Sequence, residues 1–180
     1  MLIAQQKKKE NIAEYLLYMW QVEDLIRANG LDINKIQQNI IDKFNQPEDV
    51  KQQIHDWYAN LVEMMRLEHV AQTGHLQINK NIIIDLTDLH LRLQKSPQEA
   101  FYTTAYYNAL PYIVELRAKN KKTDVPEIET CFEALYGFLL LRMQNKEVSA
   151  QTQTAIKQIS AFLRILAEKY RQERDGELEL

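Results

Sequence analysis

Apolar residues recur at every third or fourth position along most of the 180-residue chain, with charged and amide residues between them. This spacing places apolar side chains on one face of an α-helix, and the strict alternation typical of a β-strand is missing. The four glycines and four prolines fall mostly between the periodic segments. The pattern therefore predicts an all-α, single-domain bundle of about seven helices. We expect helices over residues 7–29, from 32 through Phe44, from Pro47 to about Gly74, over 79–95, from Pro97 onward, over 126–144 and over 149–171.

Two of the predicted helices bear on how the bundle is built. The helix over 79–95 is apolar on more than one side, which is typical of a helix at the centre of a bundle. At the start of the next helix, Ser96, Pro97 and Glu99 form a capping-box pattern. Pro111 lies inside that helix and removes one backbone hydrogen bond. The sequence therefore predicts a central fourth helix and a fifth helix kinked at Pro111.

Length and composition limit the classes of protein to which the chain can belong. A chain of this length fits one domain, so we expect a single helical domain over 1–172 and a charged, frayed tail over 173–180. The net charge of −3 argues against a nucleic-acid-binding protein, because phosphate recognition needs a basic surface. Cys131 is the one cysteine, which excludes a disulfide within the chain, and no apolar run approaches the roughly 18 residues of a membrane span. These features predict a soluble cytoplasmic protein without nucleic-acid or membrane partners.

The clearest irregularity is a set of charged residues within apolar helix faces. Glu23 and Arg27 lie on the apolar face of the first predicted helix, four residues apart, and we expect them to pair with each other. Glu68 continues the apolar face of the third helix, and Arg142 lies on that of the sixth. Burying a charge costs free energy unless a partner compensates it. These four residues are therefore where a site is to be sought first.

Two interpretations of these charged residues stay open. The simpler one is a set of structural ion pairs that close the bundle, together with side chains at helix ends that reach water. The other is a buried polar pocket in which Arg27 and Arg142 hold a small anionic ligand against Tyr102 and Tyr106, since a planar guanidinium group suits carboxylate or phosphate. Tyrosines at helical spacing are more often part of a core, which favours the structural interpretation.

Signatures of catalysis and of metal binding are weak. A di-iron bundle needs Glu-x-x-His pairs, and the sequence contains none. His69, His75 and His90 are weak metal-ligand candidates, because no spacing signature groups them. Cys131 lies on an apolar face and is expected to be a buried, inert thiol. The sequence therefore predicts no metal and no cofactor, and it identifies no catalytic residue.

Two segments carry a resemblance to a known family: residues 1–4, read MLIA, and residues 10–27, read ENIAEYLLYMWQVEDLIR. The similarity continues through Gly74-His75-Leu76 and over most of the chain. In these residues the chain resembles a family of uncharacterised bacterial all-helical proteins, a domain of unknown function of about this length. The resemblance implies a free-standing helical domain. It carries over no activity and no functional residue.

Three functions are compatible with this sequence. We expect first a non-enzymatic helical interaction or scaffold protein that self-associates as a homodimer, because broad apolar helix faces are often shared between subunits. The alternative is a bundle that binds a small anionic ligand in the polar pocket. The third is an enzyme, for which Glu68, His69 and His75 are the most reactive candidates.

Overall fold

A computed structural model describes residues 2–120 and 124–180, and within these ranges the chain is helical and forms no β-strand. The all-α class predicted from the apolar periodicity is confirmed. No helix in the described ranges is long and apolar enough to span a bilayer. The α-helices there are α1 (Leu2–Glu10), α2 (Ile12–Ala28), α3 (Ile33–Asn39), α4 (Glu48–Leu67), α5 (Gln77–Lys95), α6 (Ala100–Asn120), α7 (Glu127–Met143) and α8 (Ala150–Arg174), with 3-10 segments at Ile41–Lys43 and Pro97–Glu99.

The described residues group into two compact units. The N-terminal unit comprises residues 2–9 and 14–81, and the C-terminal unit comprises residues 10–13, 82–120 and 124–180. Helices α3 and α4 lie within the N-terminal unit, and α6, α7 and α8 lie within the C-terminal unit. The expectation of one domain over 1–172 followed by a frayed tail stays a prediction, as does the central position of the helix over 79–95.

The first predicted helix consists of two helices, α1 and α2, which are separated at Asn11. The Oδ1 atom of Asn11 accepts a hydrogen bond from the backbone N–H of Ala13 at 3.0 Å, which caps the start of α2. One interrupting residue changes the apolar spacing too little for periodicity to reveal the break. Helix α2 ends just before Gly30, as predicted, and Gly30 adopts the left-handed conformation with a φ of 66°.

Helix α3 begins where the sequence indicates but is shorter than predicted. Asp32 caps it by accepting a hydrogen bond from the backbone N–H of Asn34 at 2.9 Å. The helix ends at Asn39, well before Phe44, because the chain then tightens into the 3-10 segment Ile41–Lys43. Two short turns therefore replace the longer helix that the apolar spacing predicted.

Helix α4 follows Pro47 directly, as predicted, but it ends at Leu67 and does not reach Gly74. The reason is a left-handed turn just after its end, where His69 has a φ of 57° and the backbone N–H of Val70 reaches back to the Met65 carbonyl. Residues 68–76 thus form a non-helical segment, which we call the α4–α5 connection.

The predicted capping box before α6 is wrong. The side chain of Ser96 makes no capping hydrogen bond, and Pro97–Glu99 form a 3-10 turn before α6 begins at Ala100. The carboxylate of Glu99 instead accepts a hydrogen bond from Lys169 at 2.7 Å, so a contact with α8 overrides the local pattern. Helix α6 includes Pro111, and the kink expected there stays a prediction.

Helices α6, α7 and α8 pack against one another in the C-terminal unit. Helix α8 is amphipathic, and its apolar face supplies much of the core of this unit. By contrast, Ile84 and Leu91 of α5 are exposed, so not every apolar side of that helix is covered. The buried side chains that α6, α7 and α8 contribute include Tyr102, Tyr106, Ala109, Ile113, Ile128, Cys131, Phe132, Ile159, Phe162, Leu163 and Leu166.

Two glycines provide a matched test of backbone conformation. Alanine at Gly30 would have to keep a positive φ, whereas Gly137 lies inside α7, and a Cβ at either position would meet no atom of the described chain within 4 Å. We expect Gly30→Ala to lower the free energy of unfolding by about 1–2 kcal/mol. Gly137→Ala should raise it by about 1 kcal/mol because alanine favours the helix. Urea unfolding measures both, and changes of the same sign would contradict this assignment.

Candidate functional site

The carboxylate of Glu23 is the centre of a buried polar cluster in the N-terminal unit. Its side chain is 0% exposed. Its Oε1 accepts hydrogen bonds from the backbone N–H of Leu76 at 2.9 Å and from Nδ2 of Asn79 at 2.7 Å. Its Oε2 lies 2.6 Å from Nδ1 of His75. Three donors from one short stretch of chain thus compensate the desolvation of this carboxylate.

His75 is held by two different contacts. Because the Glu23 carboxylate is the acceptor, Nδ1 carries a proton, and the neutral ring therefore has its lone pair on Nε2. The ring also stacks on the indole of Trp20, with a centroid separation of 4.2 Å and an angle of 12° between the planes. The His75 side chain remains 29% exposed. This arrangement orients an imidazole that can accept a proton or ligate a cation.

Arg27 binds the same connection from one helical turn further along α2. Its guanidinium group forms an ion pair with Asp24 at 2.9 Å and donates to the backbone carbonyls of Val70, at 3.1 Å, and Gly74. The expected pairing of Arg27 with Glu23 is therefore wrong. The guanidinium group of Arg27 donates to carbonyls of the α4–α5 connection. The carboxylate of Glu23 accepts from N–H groups that follow those carbonyls in the chain.

Glu68, the first residue of the same connection, adds a second carboxylate. It accepts a hydrogen bond from the backbone N–H of Gln77 at 2.6 Å, next to the N–H of Leu76 that Glu23 accepts. Both carboxylates therefore satisfy free amides at the start of α5, where the helix dipole favours negative charge. The structure thus brings Glu23, Arg27 and Glu68 together as a clamp on residues 68–77. We call these three residues the clamp.

The remaining candidates belong to the C-terminal unit. Tyr102, Tyr106 and His90 are buried in a cluster of rings with Phe162. Nδ1 of His90 lies 2.6 Å from the Tyr102 hydroxyl, and the Tyr106 hydroxyl donates to Glu127 at 2.7 Å. Burial lowers the pKa of His90 and raises the pKa values of both tyrosines. These groups stay neutral at physiological pH and form part of the core.

Arg142 does not face the interior. It lies in the last turn of α7, its side chain is exposed, and its guanidinium group lies 5.9 Å from the Phe138 ring centroid. The expected inward placement is wrong because a long side chain at a helix end reaches water easily.

The three candidate histidines and the cysteine lie in different parts of the chain. His69 is exposed in the connection, His75 belongs to the Glu23 cluster, and His90 is in the C-terminal core. Over the part of the chain that the structure describes, no three His, Cys, Asp or Glu side chains are close enough to hold a metal ion together. Cys131 is buried, as predicted, and burial raises the pKa of its thiol, so the nucleophilic thiolate is disfavoured.

Sequence reasoning missed Asn79 and the partnership of Glu23 with His75. Asn79 could have been found, because it falls on the buried face of α5 with Leu76, Ile83 and Leu86, where a polar residue needs a partner. The choice of His75 could not, since 52 residues separate it from Glu23 and no local pattern links them.

A second surface is notable for its apolar character. Residues 133–141 of α7 are all half-exposed, so this stretch has neither a fully buried nor a fully exposed side. Ala134, Gly137, Leu140 and Leu141 lie on the side of the helix opposite the buried Ile128, Cys131 and Phe132, together with Glu133. We call the four uncharged residues the α7 surface. Phe101, Tyr107 and Val114 of α6 are exposed in the same unit.

The sequence comparisons give one match. A family model described as Domain of unknown function (DUF4924) matches residues 1–177. No curated protein and no solved structure matches the chain. The family match supplies no residue role, so the chemistry of the site depends on its geometry.

Removing the charge of Glu23 tests the clamp. We expect Glu23→Gln to lower the free energy of unfolding by about 2 kcal/mol, because three donors lose a charged acceptor. Asp24→Asn is the matched control and should cost less than about 1 kcal/mol, since this carboxylate is part of a partly exposed ion pair. Chemical denaturation measures both variants, and ¹⁵N NMR should show that His75 loses its fixed Nδ1–H tautomer only in Glu23→Gln. Equal costs for the two variants would contradict the central role of Glu23.

The burial of His90 predicts a pH dependence. Burial lowers its pKa and the nearby charge of Glu127 offsets this only in part, so the folded chain binds this proton less readily than the unfolded chain does. The contribution of His90 to stability is therefore fully present above about pH 6.5 and is lost as the pH falls below that value. His90→Gln should flatten the fall in stability between about pH 7 and pH 5. An unchanged slope in urea titrations at several pH values would show that His90 is not the group responsible.

Proposed function

The chain belongs to the DUF4924 family, a domain of unknown function, and we propose that it is a non-enzymatic helical interaction protein that self-associates through the α7 surface. The observation that carries this proposal is the uniform partial exposure of residues 133–141. After Glu133 the stretch is apolar on all sides, and such a helix is ordinarily buried. In the isolated chain this stretch is only partly covered, so a second protein surface would complete its burial.

Gly137 supports a helix-to-helix contact at this position. A glycine inside a helix costs about 1 kcal/mol relative to alanine. The tight packing that would explain it within the chain is missing, because a Cβ there would meet no described atom within 4 Å apart from its chain neighbours and the backbone of its own helix. The space beside Gly137 can instead receive a side chain from another molecule.

A second copy of the chain is the partner that we propose. The four residues of the α7 surface are uncharged, and Glu133 lies at its N-terminal end, so the centre of the surface meets the same residues of another copy without repulsion. A two-fold contact of this kind uses one patch twice, and each leucine pair can pack beside the partner's glycine. We also propose a cytoplasmic location, which the buried thiol of Cys131 supports, and no nucleic-acid partner, which the net charge of −3 supports.

The anionic-ligand alternative has less support from the geometry. The guanidinium group of Arg27 already binds Asp24 and two carbonyls, and Arg142 is exposed. Two carboxylates, Glu23 and Glu68, accept from the amides at the start of α5 and would repel an anion there.

An acid–base enzyme is the second candidate function, and the oriented imidazole of His75 favours it. A carboxylate that fixes the imidazole tautomer is the arrangement by which enzymes prepare a general base. If the protein has a hydrolase or isomerase activity of this kind, His75→Gln should remove it at unchanged helicity. His55→Gln is the matched control, because His55 is also partly exposed beside a carboxylate but has no buried partner.

Association through the α7 surface is tested by adding a side chain where the chain itself leaves room. Gly137→Arg should leave helicity intact and weaken self-association at least tenfold, or about 1.4 kcal/mol, because a charged group would enter an apolar contact. Sedimentation equilibrium measures the dissociation constant. Leu67→Arg, at an exposed leucine of the N-terminal unit, is the control and should associate like the wild type. A monomeric wild type, or equal association of Gly137→Arg and wild type, would overturn the proposal.

A further inference from the structure

We propose that the N-terminal unit contains a binding site for a small, neutral, single-ring compound. The site is a cavity of about 160 Å³ between α1, the segment after the 3-10 turn and the first turns of α4. It is separate from the α7 surface, so this inference does not depend on the proposed function. Its lining residues are Ile3, Gln5, Phe44, Gln46, Val50, Gln53 and Ile54.

The base of the cavity is apolar and well supported. Ile54 is 6% exposed and lies one helical turn after Val50 on the same side of α4. Phe44 is positioned by its backbone N–H, which donates to the Ile41 carbonyl at 3.0 Å. Pro47 then sets the start of α4, since its carbonyl accepts from the backbone N–H groups of Val50 and Lys51. Backbone hydrogen bonds therefore position two of the three walls.

The volume of the cavity sets the size of the ligand. An apolar cavity of roughly 150 Å³ in a protein interior holds one benzene ring. The present cavity is of that size, and the exposure of Ile3 leaves it open on the α1 side. A single ring fits within this volume, whereas a fused-ring ligand would extend beyond it.

The lining also sets the polarity of the ligand. Among the residues that the structure describes, no charged side chain lines the cavity, so a carboxylate or ammonium group would lose hydration there without a counter-charge from them. Gln5, Gln46 and Gln53 each place a carboxamide beside the apolar base, and none of the three makes a side-chain hydrogen bond to another described residue. A carboxamide offers both a donor and an acceptor. The geometry therefore favours a neutral ring with a hydroxyl or amide substituent.

Phenol, benzoate and benzylamine are the probes that separate these ligand classes. Phenol at millimolar concentration should raise the Tm and shift the backbone amide NMR signals of Phe44, Gln46 and Val50. Benzoate and benzylamine, of similar size but charged, should bind at least tenfold more weakly. Charged probes that bind as tightly as phenol would overturn the assignment of a neutral ligand.

A cavity-filling variant tests the location. Val50 is half-buried, and Val50→Phe should fill the cavity and abolish the phenol shifts while the helicity is kept. Val114→Phe, at an exposed valine of the C-terminal unit, is the matched control and should bind phenol like the wild type. Phenol shifts that persist in Val50→Phe, or that never arise in the wild type, would overturn the proposal.

A third variant tests whether a carboxamide contributes to binding and leaves the apolar base of the cavity unchanged. Gln53→Leu should weaken phenol binding several-fold and leave toluene binding unchanged, because only phenol has a group for the amide to bind. If phenol and toluene lost affinity equally, the Gln53 amide would not bind the hydroxyl group, which would contradict the proposed ligand class. A peptide with an aromatic side chain that binds more tightly than phenol would identify a protein ligand and overturn the small-molecule assignment.

Discussion

The geometry of the N-terminal unit depends on one buried carboxylate. Glu23 can lose its hydration only because a backbone N–H, an amide group and an imidazole all point at it, and these donors come from residues 75–79. That requirement determines where the chain must turn after α4 and how α5 begins. The left-handed conformations of His69 and Gly74 belong to the same turn. The charged residues that first suggested a ligand pocket thus act on the protein's own backbone.

Features that depend on a few neighbouring residues were predictable from the sequence. Gly30 ends α2 and Pro47 precedes α4, since each acts through its own backbone conformation. The presence of Glu23 on an apolar face was also predictable, because a charge there is costly wherever its partner lies. The identity of that partner was not, because it is set by the tertiary structure. Likewise Glu99, which fits a capping pattern, bonds to Lys169 of α8 because a distant cation competes with the local donors.

The two units differ in how their buried polar side chains are compensated. In the N-terminal unit charges are compensated by backbone groups, as Arg27 and Glu68 show. In the C-terminal unit the buried polar groups include rings that stay neutral, such as His90 and Tyr102, and the Glu99 carboxylate, which pairs with the Lys169 side chain. The two buried carboxylates of the described residues, Glu23 and Glu99, are thus both engaged by groups of the chain itself.

The contact between Glu23 and His75 also has a consequence for the order of folding. It closes a loop of 52 residues, and the entropy lost on closure must be offset before the contact contributes. Helices α3 and α4 lie inside this loop and use mostly local hydrogen bonds, so their formation shortens the effective loop. We therefore infer that the clamp closes late, on a chain whose intervening helices are already formed, and that its residues lie outside the folding nucleus.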